Sequence, residues 1–438
     1  MSGPRQVYEF LKASSIAHAR WDYEVSMSII RNRKKLLILL LMLAPILFVS
    51  LLEAAPLLGG KEAYAPSFYS PMIFLISMAI GLAAGLITGC IGAGGGFIVT
   101  PALMAAGVKG ILAVGTDLFH IFAKAIMGTT VHKKLGNVSW KLAIAFLLGS
   151  GGGTFVGGAI NRVLYNTDPL LSEGFISLIY AILLGFLGFY ALFDFLKSRK
   201  GPAAAASSHG SARSGVPNLA VKLQSVNIPP MINFDEDFVP GGKKISWVII
   251  AAGGAVVGIL ASIMGVGGGF VTFPMFVYVF GVSSMTTVGT DILQIIFTAG
   301  LASIAQYAIY GYVFYSLAMG MLIGSLLGIQ IGALTTKVVR GIHIRGFYAV
   351  SILAGFVNRA ATLPRKMVEL ELISVPKSIT ADIEFVGNIL FWVVVGVFAL
   401  WMFAKFFGNL GVLREETKVP EISVKQVARS RHAEEKIC

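Results

Sequence analysis

Charged and polar side chains that are able to do chemistry lie along one apolar segment of the chain. Asp117, His120 and Lys124 follow i, i+3 and i+7 spacing, which places them on one face of a helix. A second segment carries Asp291 and Gln294 at the positions that correspond to the first two. A charged side chain that faces lipid is costly, so we expect Lys124 inside the protein. There it either pairs with Asp117 or faces a bound anion as its counter-charge.

The two aspartates allow two roles. As helix caps, Asp117 and Asp291 satisfy the opening N–H groups of their helices; alternatively, their carboxyls take up a coupled proton. His120 either titrates near neutral pH and carries a proton or, as is commoner for a lone membrane histidine, is a hydrogen-bonded buried group. Its counterpart Gln294 does not titrate, so protonation is not a symmetric part of the mechanism. An ionised carboxylate repels an anion, so the preceding hydroxyls of Thr116 and Thr290 are better donors to one.

Two glycine-rich blocks form the other candidate site. Residues 92–101 and 265–274 each hold three consecutive glycines, then a phenylalanine, and a proline five residues after the last glycine. A helix that restarts after such a block aims free backbone N–H groups at the break, which suits an oxyanion. Close packing of helices through small residues is the competing interpretation. The predicted substrate-binding residues are Gly94, Gly95, Gly96, Thr100, Thr116, Lys124, Gly267, Gly268, Gly269, Thr272, Thr290 and Gln294.

The elements that must position these residues lie in a membrane. The 438 residues are 56% hydrophobic and 13% charged, with a mean hydropathy of +0.79, whereas a soluble domain carries roughly a quarter charged residues. Residues 63–108 and 245–290 contain no charged residue, and each stretch exceeds one span of about 20 residues. We interpret each as a helical hairpin or a broken helix. Further spans are predicted over 36–52, 111–131, 140–160, 171–195, 285–310, 312–335, 342–357 and 385–407.

The glycine blocks belong to an internal repeat. Val-Gly-Thr-Asp recurs at 114–117 and 288–291, and an aliphatic-Gly-Ser block recurs at 148–150 and 323–325. Lysine and arginine are more frequent in one set of loops, which predicts that both termini are cytoplasmic and that the two halves are inverted. Inverted repeats are typical of secondary transporters, whose binding site lies near the bilayer midplane.

The sequence therefore predicts an all-α polytopic membrane protein. Two inverted repeats with broken or hairpin helices meet near the bilayer midplane, and one extra helix precedes them and another follows. The predicted order is a cytoplasmic segment 1–35, a first membrane helix with its outer loop 36–70, a first repeat 71–197, a cytoplasmic linker 198–244, a second repeat with its outer loop 245–380, a last helix 381–408 and a cytoplasmic tail 409–438.

With these paired blocks the sequence resembles the TauE/SafE sulfite exporter family, also called the four-toluene sulfonate uptake permease family, over about residues 70–408. The resemblance implies transport of sulfite, thiosulfate, a sulfonate or a related organosulfur anion across the plasma membrane, with alternating access and optional proton or ion coupling. An anion channel and a non-transporting membrane scaffold or sensor are the alternatives. Enzymatic activity, a metal, a cofactor and a nucleic-acid partner are not predicted.

The same topology also predicts the position of one further cation. Arg359 is predicted at the outer end of a short helix over 342–357. There it either reaches the interface with its head in water, which is the simpler interpretation, or attracts anions.

Overall fold

The computed structural model describes residues 71–91, 95–132, 139–199, 218–235, 242–336, 338–339 and 341–409. Within these ranges eight helices are long and apolar enough to cross a bilayer. The predicted all-α polytopic membrane fold is therefore confirmed. The first membrane helix predicted over 36–52, the two terminal segments and much of the linker lie outside the described residues.

The first half comprises five helices in the order that the repeat requires. They are α1 (Pro71–Ile91), α2 (Gly96–Ala105), α3 (Gly110–His132), α4 (Trp140–Thr167) and α5 (Pro169–Arg199).

The second half repeats this order of long and short helices and adds one helix at its end. Its elements, with those that precede it, are α6 (Asn218–Gln224), β1 (Met231–Phe234), β2 (Lys243–Ser246), α7 (Trp247–Met264), α8 (Gly269–Pro274, continued by a π-helical segment Met275–Phe280), α9 (Ser284–Leu301, continued by irregular helix to Tyr310), α10 (Tyr315–Thr335), α11 (Gly341–Glu369) and α12 (Lys377–Gly408).

The uncharged stretch of the first half forms a helical hairpin. Gly95 lies against α1, because a Cβ placed on it would be 2.7 Å from the carbonyl oxygen of Ala84. Farther along, Ala106 lines one cavity together with Ile76 and Ala79 of α1. As the chain advances from 95 to 106 it thus moves back along α1, so α2 runs antiparallel to α1.

The second half turns back in the same way. A Cβ on Gly268 would be 3.4 Å from Cγ1 of Val257 in α7. At the far end of the segment, the ring of Phe280 packs against Gly253, nearer the start of α7. Both glycine blocks therefore stand at the tip of a helical hairpin, which is the first of the two forms predicted for them.

The first helix of each half packs along the fourth helix of the other half. Gly81 and Gly89 of α1 face Met321 and Ile329 of α10, so these two helices run parallel. A Cβ on either glycine would collide with the backbone of α10, which means that only glycine permits this separation.

The matching pair, α4 and α7, has the same geometry. Gly149 and Gly157 of α4 face Ala251 and Ile259 of α7. Each close-packed pair consequently contains one helix from each half.

Corresponding helices of the two halves pack antiparallel. At one end of the α5–α11 pair, Lys366 lies 2.9 Å from Glu173, and at the other Arg345 lies 3.9 Å from Asp194. In the α3–α9 pair, Gly115 lies against Tyr307 of the α9 extension, and Phe122, farther along α3, lies against Gly300. The inverted relation of the two halves stays a prediction.

The linker contributes a small cover beside the second half. Strands β1 and β2 pair antiparallel, with Met231 opposite Ser246. Phe234 is 2% exposed and packs into an apolar cluster with Phe146 of α4 and Phe276 of the α8 extension. This part of the linker is thus fixed against the helices.

Helix α11 corrects the prediction of a short helix over 342–357. It continues to Glu369, and Arg359 lies inside it with only 2% of its surface exposed. The predicted interfacial position of Arg359 is therefore wrong. The neighbouring Asn358 is also buried, and its Nδ2 donates a hydrogen bond of 2.6 Å to Oδ1 of Asn388 of α12, which holds this stretch inside the bundle.

Candidate functional site

The tips of the two hairpins meet in the interior. Gly95 has φ 60° and Gly268 has φ 92°, a region that side chains rarely adopt, and each directly precedes its half-helix. The phenylalanines near the start of each half-helix, Phe97 and Phe270, stack with ring centroids 4.8 Å apart. The beginnings of α2 and α8 are therefore adjacent, as the repeat predicts for a shared site.

The opening backbone N–H groups of these two half-helices lie at the adjacent tips. The first N–H groups of a helix have no carbonyl partner within it. In this conformation the space beside the tips is filled by apolar side chains: a Cβ on Gly96 or on Gly267 would lie within 3 Å of Ile121. A Cβ on Gly269 would meet Ile295, the counterpart of Ile121 in α9. The tips are therefore closed to solvent.

A chain of polar contacts joins the first hairpin to the second half. Thr100 donates a hydrogen bond of 2.9 Å to Oδ2 of Asp117, and Oδ1 of Asp117 lies 3.5 Å from Nδ1 of His120. Nε2 of His120 lies 3.1 Å from Oγ of Ser325 in α10. All four residues are buried. This first chain therefore runs from α2 through α3 to α10.

Lys124 stands on the same face of α3 and reaches the first hairpin. Its Nζ donates to Oγ1 of Thr88 at 3.4 Å. That hydroxyl oxygen would be 2.6 Å from a Cβ on Gly95, so the ammonium lies beside the tip of the hairpin. A cation at this position is suited to an anion bound at the glycine break.

The second half builds a matching chain from residues that do not titrate. Nε2 of Gln294 donates to Oγ1 of Thr272 at 2.8 Å, and Thr272 donates to the carbonyl of Gly268 at 2.9 Å. Thr298 donates to Oε1 of Gln294 at 2.7 Å and lies 2.9 Å from the hydroxyl of Ser150. This second chain runs from α8 through α9 to α4, the counterpart of α10.

The interpretation of Asp117 and Asp291 as helix caps is wrong. Helices α3 and α9 begin at residues 110 and 284, about two turns before the aspartates. For α9 the cap is Ser283, whose hydroxyl accepts from the N–H of Thr286 at 3.3 Å. Asp117 is engaged by the first chain, whereas Oδ1 of Asp291 has no hydrogen-bond partner among the described residues.

Thr116 and Thr290 are used to join the two halves. Oγ1 of Thr116 accepts the N–H of Phe314 at 2.9 Å, and Oγ1 of Thr290 accepts the N–H of Ser139 at 3.1 Å. Phe314 and Ser139 directly precede α10 and α4. Each threonine therefore fixes the start of the fourth helix of the opposite half.

The structure brings most of the predicted substrate-binding residues to the hairpin tips and to the two chains behind them: Gly95, Gly96, Thr100, Lys124, Gly267, Gly268, Gly269, Thr272 and Gln294. Thr116 and Thr290 lie instead at the starts of α10 and α4, and Gly94 lies outside the described residues. Sequence reasoning missed other residues of this site. The repeated aliphatic-Gly-Ser blocks could have pointed to Ser150 and Ser325, because the two serines occupy equivalent positions in the two halves. The missed residues are Thr88, Ile121, Ser150, Ile295, Thr298 and Ser325.

A cavity of about 270 Å³ lies away from the hairpin tips. Its walls are Ile76, Ala79, Ala106 and Trp392, which are apolar side chains of α1, of the turn after α2, and of α12. It is therefore not an anion site by its own lining.

In the described part of the chain, eight helices of membrane-spanning length surround two buried polar chains and two hairpin tips, which is the architecture of a multi-pass membrane protein. The family described as "Sulfite exporter TauE/SafE" matches residues 77–358, more than half of the chain, and the chain belongs to this family. The predicted family resemblance is confirmed.

Relatives with names of the same kind support this assignment. The chain is 26% identical over 274 residues to the probable membrane transporter protein YunE of Bacillus subtilis (strain 168), which covers 60% of this chain and 88% of YunE. It is 24% identical over 264 residues to a probable membrane transporter protein of Xylella fastidiosa (strain 9a5c), covering 59% and 84%. No solved structure gives a significant match.

Proposed function

We propose that the protein is a secondary transporter that moves a small sulfur-containing anion across the plasma membrane by alternating access. The family name indicates sulfite, and the family resemblance extends the candidates to thiosulfate, a sulfonate or a related organosulfur anion. The observation that carries the proposal is the meeting of two glycine-tipped hairpins, with Gly95 and Gly268 in left-handed conformations and Lys124 beside the first tip.

The anion is held mainly by backbone donors and one cation. The opening N–H groups of α2 and α8 point towards the break, and the helix dipoles favour negative charge there. The hydroxyls of Thr100 and Thr272 already donate within the protein, so they reach the anion only after changing partners. Ile121 and Ile295 occupy the space beside the tips, which makes the described conformation an occluded one.

Inverted halves are a common structural basis of alternating access. The antiparallel packing of α3 on α9 and of α5 on α11 supports this arrangement, as does the parallel packing of α1 on α10 and of α4 on α7. Loops rich in lysine and arginine favour cytoplasmic termini. In such a protein the two halves exchange conformations and expose the central site to each side in turn.

Proton coupling, where it occurs, runs through the first half. Of the two described chains, only the first contains titratable groups, Asp117 and His120; Gln294 takes the place of His120 in the second. The second half also has a buried carboxyl, Asp291, the counterpart of Asp117, but it stands outside the second chain and its Oδ1 has no hydrogen-bond partner among the described residues. The asymmetry at the histidine position matches a mechanism in which the first half relays the proton.

Flux into proteoliposomes tests the proposal. We expect saturable uptake of radiolabelled sulfite or thiosulfate by the reconstituted full-length protein, competed by unlabelled sulfonate and absent from empty liposomes. Electrical currents far above carrier turnover would instead identify a channel. Absence of flux for every anion of this class would contradict transport of sulfur-containing anions.

A further inference from the structure

A buried arginine stands apart from both polar chains. Arg359 of α11 is 2% exposed and heads the set of large side chains that are fully buried in the described part of the chain. A guanidinium in a membrane interior is costly unless it is paired, and such a residue marks a functional site by default.

The partners of Arg359 are neutral. Its Nε donates to Oδ1 of Asn358 at 2.7 Å, and Nη1 lies 3.4 Å from the sulfur of Met104 at the end of α2. Within the described residues no carboxylate approaches it to 4.0 Å. A guanidinium has five N–H donors in a planar fork, so most of this fork is unused by strong acceptors.

The nearest carboxylates are committed to other cations. Glu173 lies 2.9 Å from Nζ of Lys366, and Glu384 lies 2.8 Å from Nη1 of Arg365. These pairs tie α5, α11 and α12 together. Arg359 is left outside the network.

The end of α2 does not supply the missing acceptor either. The carbonyls of residues 102–104 already accept from the backbone N–H groups of residues 106–108. The helix dipole contributes about half an elementary charge at this end, which leaves the rest of the guanidinium charge uncompensated.

The apolar cavity of about 270 Å³ does not have Arg359 in its wall. It lies nearby along the chain, because Ala106 of its wall follows Met104 by two residues, and Trp392 follows Asn388, which accepts a hydrogen bond from Asn358, by one turn of α12. The cavity is therefore a neighbour of the guanidinium and not its ligand site.

We propose that Arg359 is a second anion-binding site of the transporter, at the end of α2 remote from Gly95. A small oxyanion accepts two N–H groups of the fork there, with the amides of Asn358 and Asn388 beside it. Because α2 has 10 residues, at 1.5 Å per residue this site lies about 15 Å from the central one. The inference rests on the proposed anion transport and adds a relay site on the path to the hairpin tips.

Titration of the purified full-length protein in phospholipid-free detergent with sulfite, and separately with thiosulfate, tests this inference. We expect two anions per wild-type chain and one per chain for Arg359→Gln, with the affinity of the second site reduced by about 10- to 100-fold, the range for a hydrogen-bonded charge. The matched control is Arg365→Gln, which removes an exposed cation of the same helix and retains both sites.

Other outcomes overturn the inference in distinct ways. If Arg359→Gln still binds as many anions as the wild type, the second site is absent while the central site stands. If wild-type protein binds none, the proposed function fails as well. A phospholipid phosphate has the same chemistry; retention of anionic phospholipid that depends on Arg359 in native mass spectrometry, with unchanged sulfite binding, would assign the site to lipid.

A second variant covers a failure of Arg359→Gln to fold. Arg359→Lys retains the charge but loses the planar fork. We expect a folded protein with the second site weakened and the central site unchanged. Wild-type affinity at both sites in this variant would overturn the bidentate site.

Discussion

Nε2 of His120 lies 3.1 Å from Oγ of Ser325, a residue 205 positions away in the chain. The contact joins α3 of the first half to α10 of the second. Its counterpart on the other side joins Thr298 of α9 to Ser150 of α4 at 2.9 Å. Each half therefore ends its polar chain on a helix of the other half, which connects each hairpin tip to the opposite half through hydrogen bonds.

The glycines at the hairpin tips are predicted to be essential for transport. A valine at Gly95 adopts a left-handed conformation at a cost of roughly 1–3 kcal/mol, and its Cβ lies 2.7 Å from the carbonyl oxygen of Ala84. We expect Gly95→Val and Gly268→Val to insert into the membrane and to lose anion flux in proteoliposomes.

The control for these variants tests whether backbone strain alone, at a glycine outside the hairpin tips, abolishes flux. Gly107 has φ 91°, but a Cβ there meets no atom within 4 Å. Gly107→Val therefore carries the same backbone strain without a collision and should retain flux. Wild-type flux in both tip variants would show that the tips are not the binding site.

Lys124 is predicted to supply the counter-charge of the central anion. Replacing it with glutamine removes the charge and keeps much of the length, so we expect Lys124→Gln to raise the Kd for sulfite about 10- to 100-fold, the range for a hydrogen-bonded charge. Lys141→Gln, which removes an exposed lysine at the start of α4, should leave the Kd unchanged. Equal Kd values for both variants would make Lys124 a structural residue.

His120 is predicted to carry the proton if transport is proton-coupled. The variant His120→Gln gives the first chain the residue that the second chain has at Gln294, and the amide can still bond Ser325. We expect flux that no longer responds to an imposed pH gradient. The control is His343→Gln, an exposed histidine of α11. A full response to the gradient in His120→Gln would remove His120 from coupling.

The close-packed helix pairs are predicted to tolerate no added side chain. At Gly324 of α10 a Cβ would meet the backbone of Met78 and lie 2.7 Å from the N–H nitrogen of Leu82. Gly324→Leu should therefore lower stability by about 3 kcal/mol or more, because the helices must separate. Thermal unfolding in detergent measures this, and Gly396→Leu of α12, where nothing lies within 4 Å, should melt like the wild type.

The sequence predicted the spans and the breaks well, because both depend on local composition. Uncharged stretches with glycine blocks gave the two hairpins, and the i, i+3, i+7 spacing placed Asp117, His120 and Lys124 on one face of α3. The predicted spans over 111–131 and 285–310 begin within one residue of α3 and α9, but the interpretation of Asp117 and Asp291 as caps was wrong, because both lie about two turns inside these helices.

Contacts between the halves were beyond the reach of the sequence. Thr116 looked like a free donor, yet it accepts the N–H of Phe314 from 198 positions away. Arg359 was predicted at the interface because it follows residues 342–357, the apolar part of α11. The helix continues beyond Arg359 through polar residues, and these residues form ion pairs with Glu173 of α5 and Glu384 of α12. Such pairings depend on the packed structure rather than on any local pattern.

The parallel pairing of α1 with α10 and of α4 with α7 has a consequence for how the polypeptide assembles. Neither half contains both helices of a close-packed pair, so we expect neither half to fold independently. A gene divided within residues 200–217 and expressed as two fragments should yield active protein only when both fragments are made in the same cell. Spectroscopic probes of rigid-body motion should therefore be attached to these helix pairs, each of which has one helix from each half, rather than to the two sequence repeats.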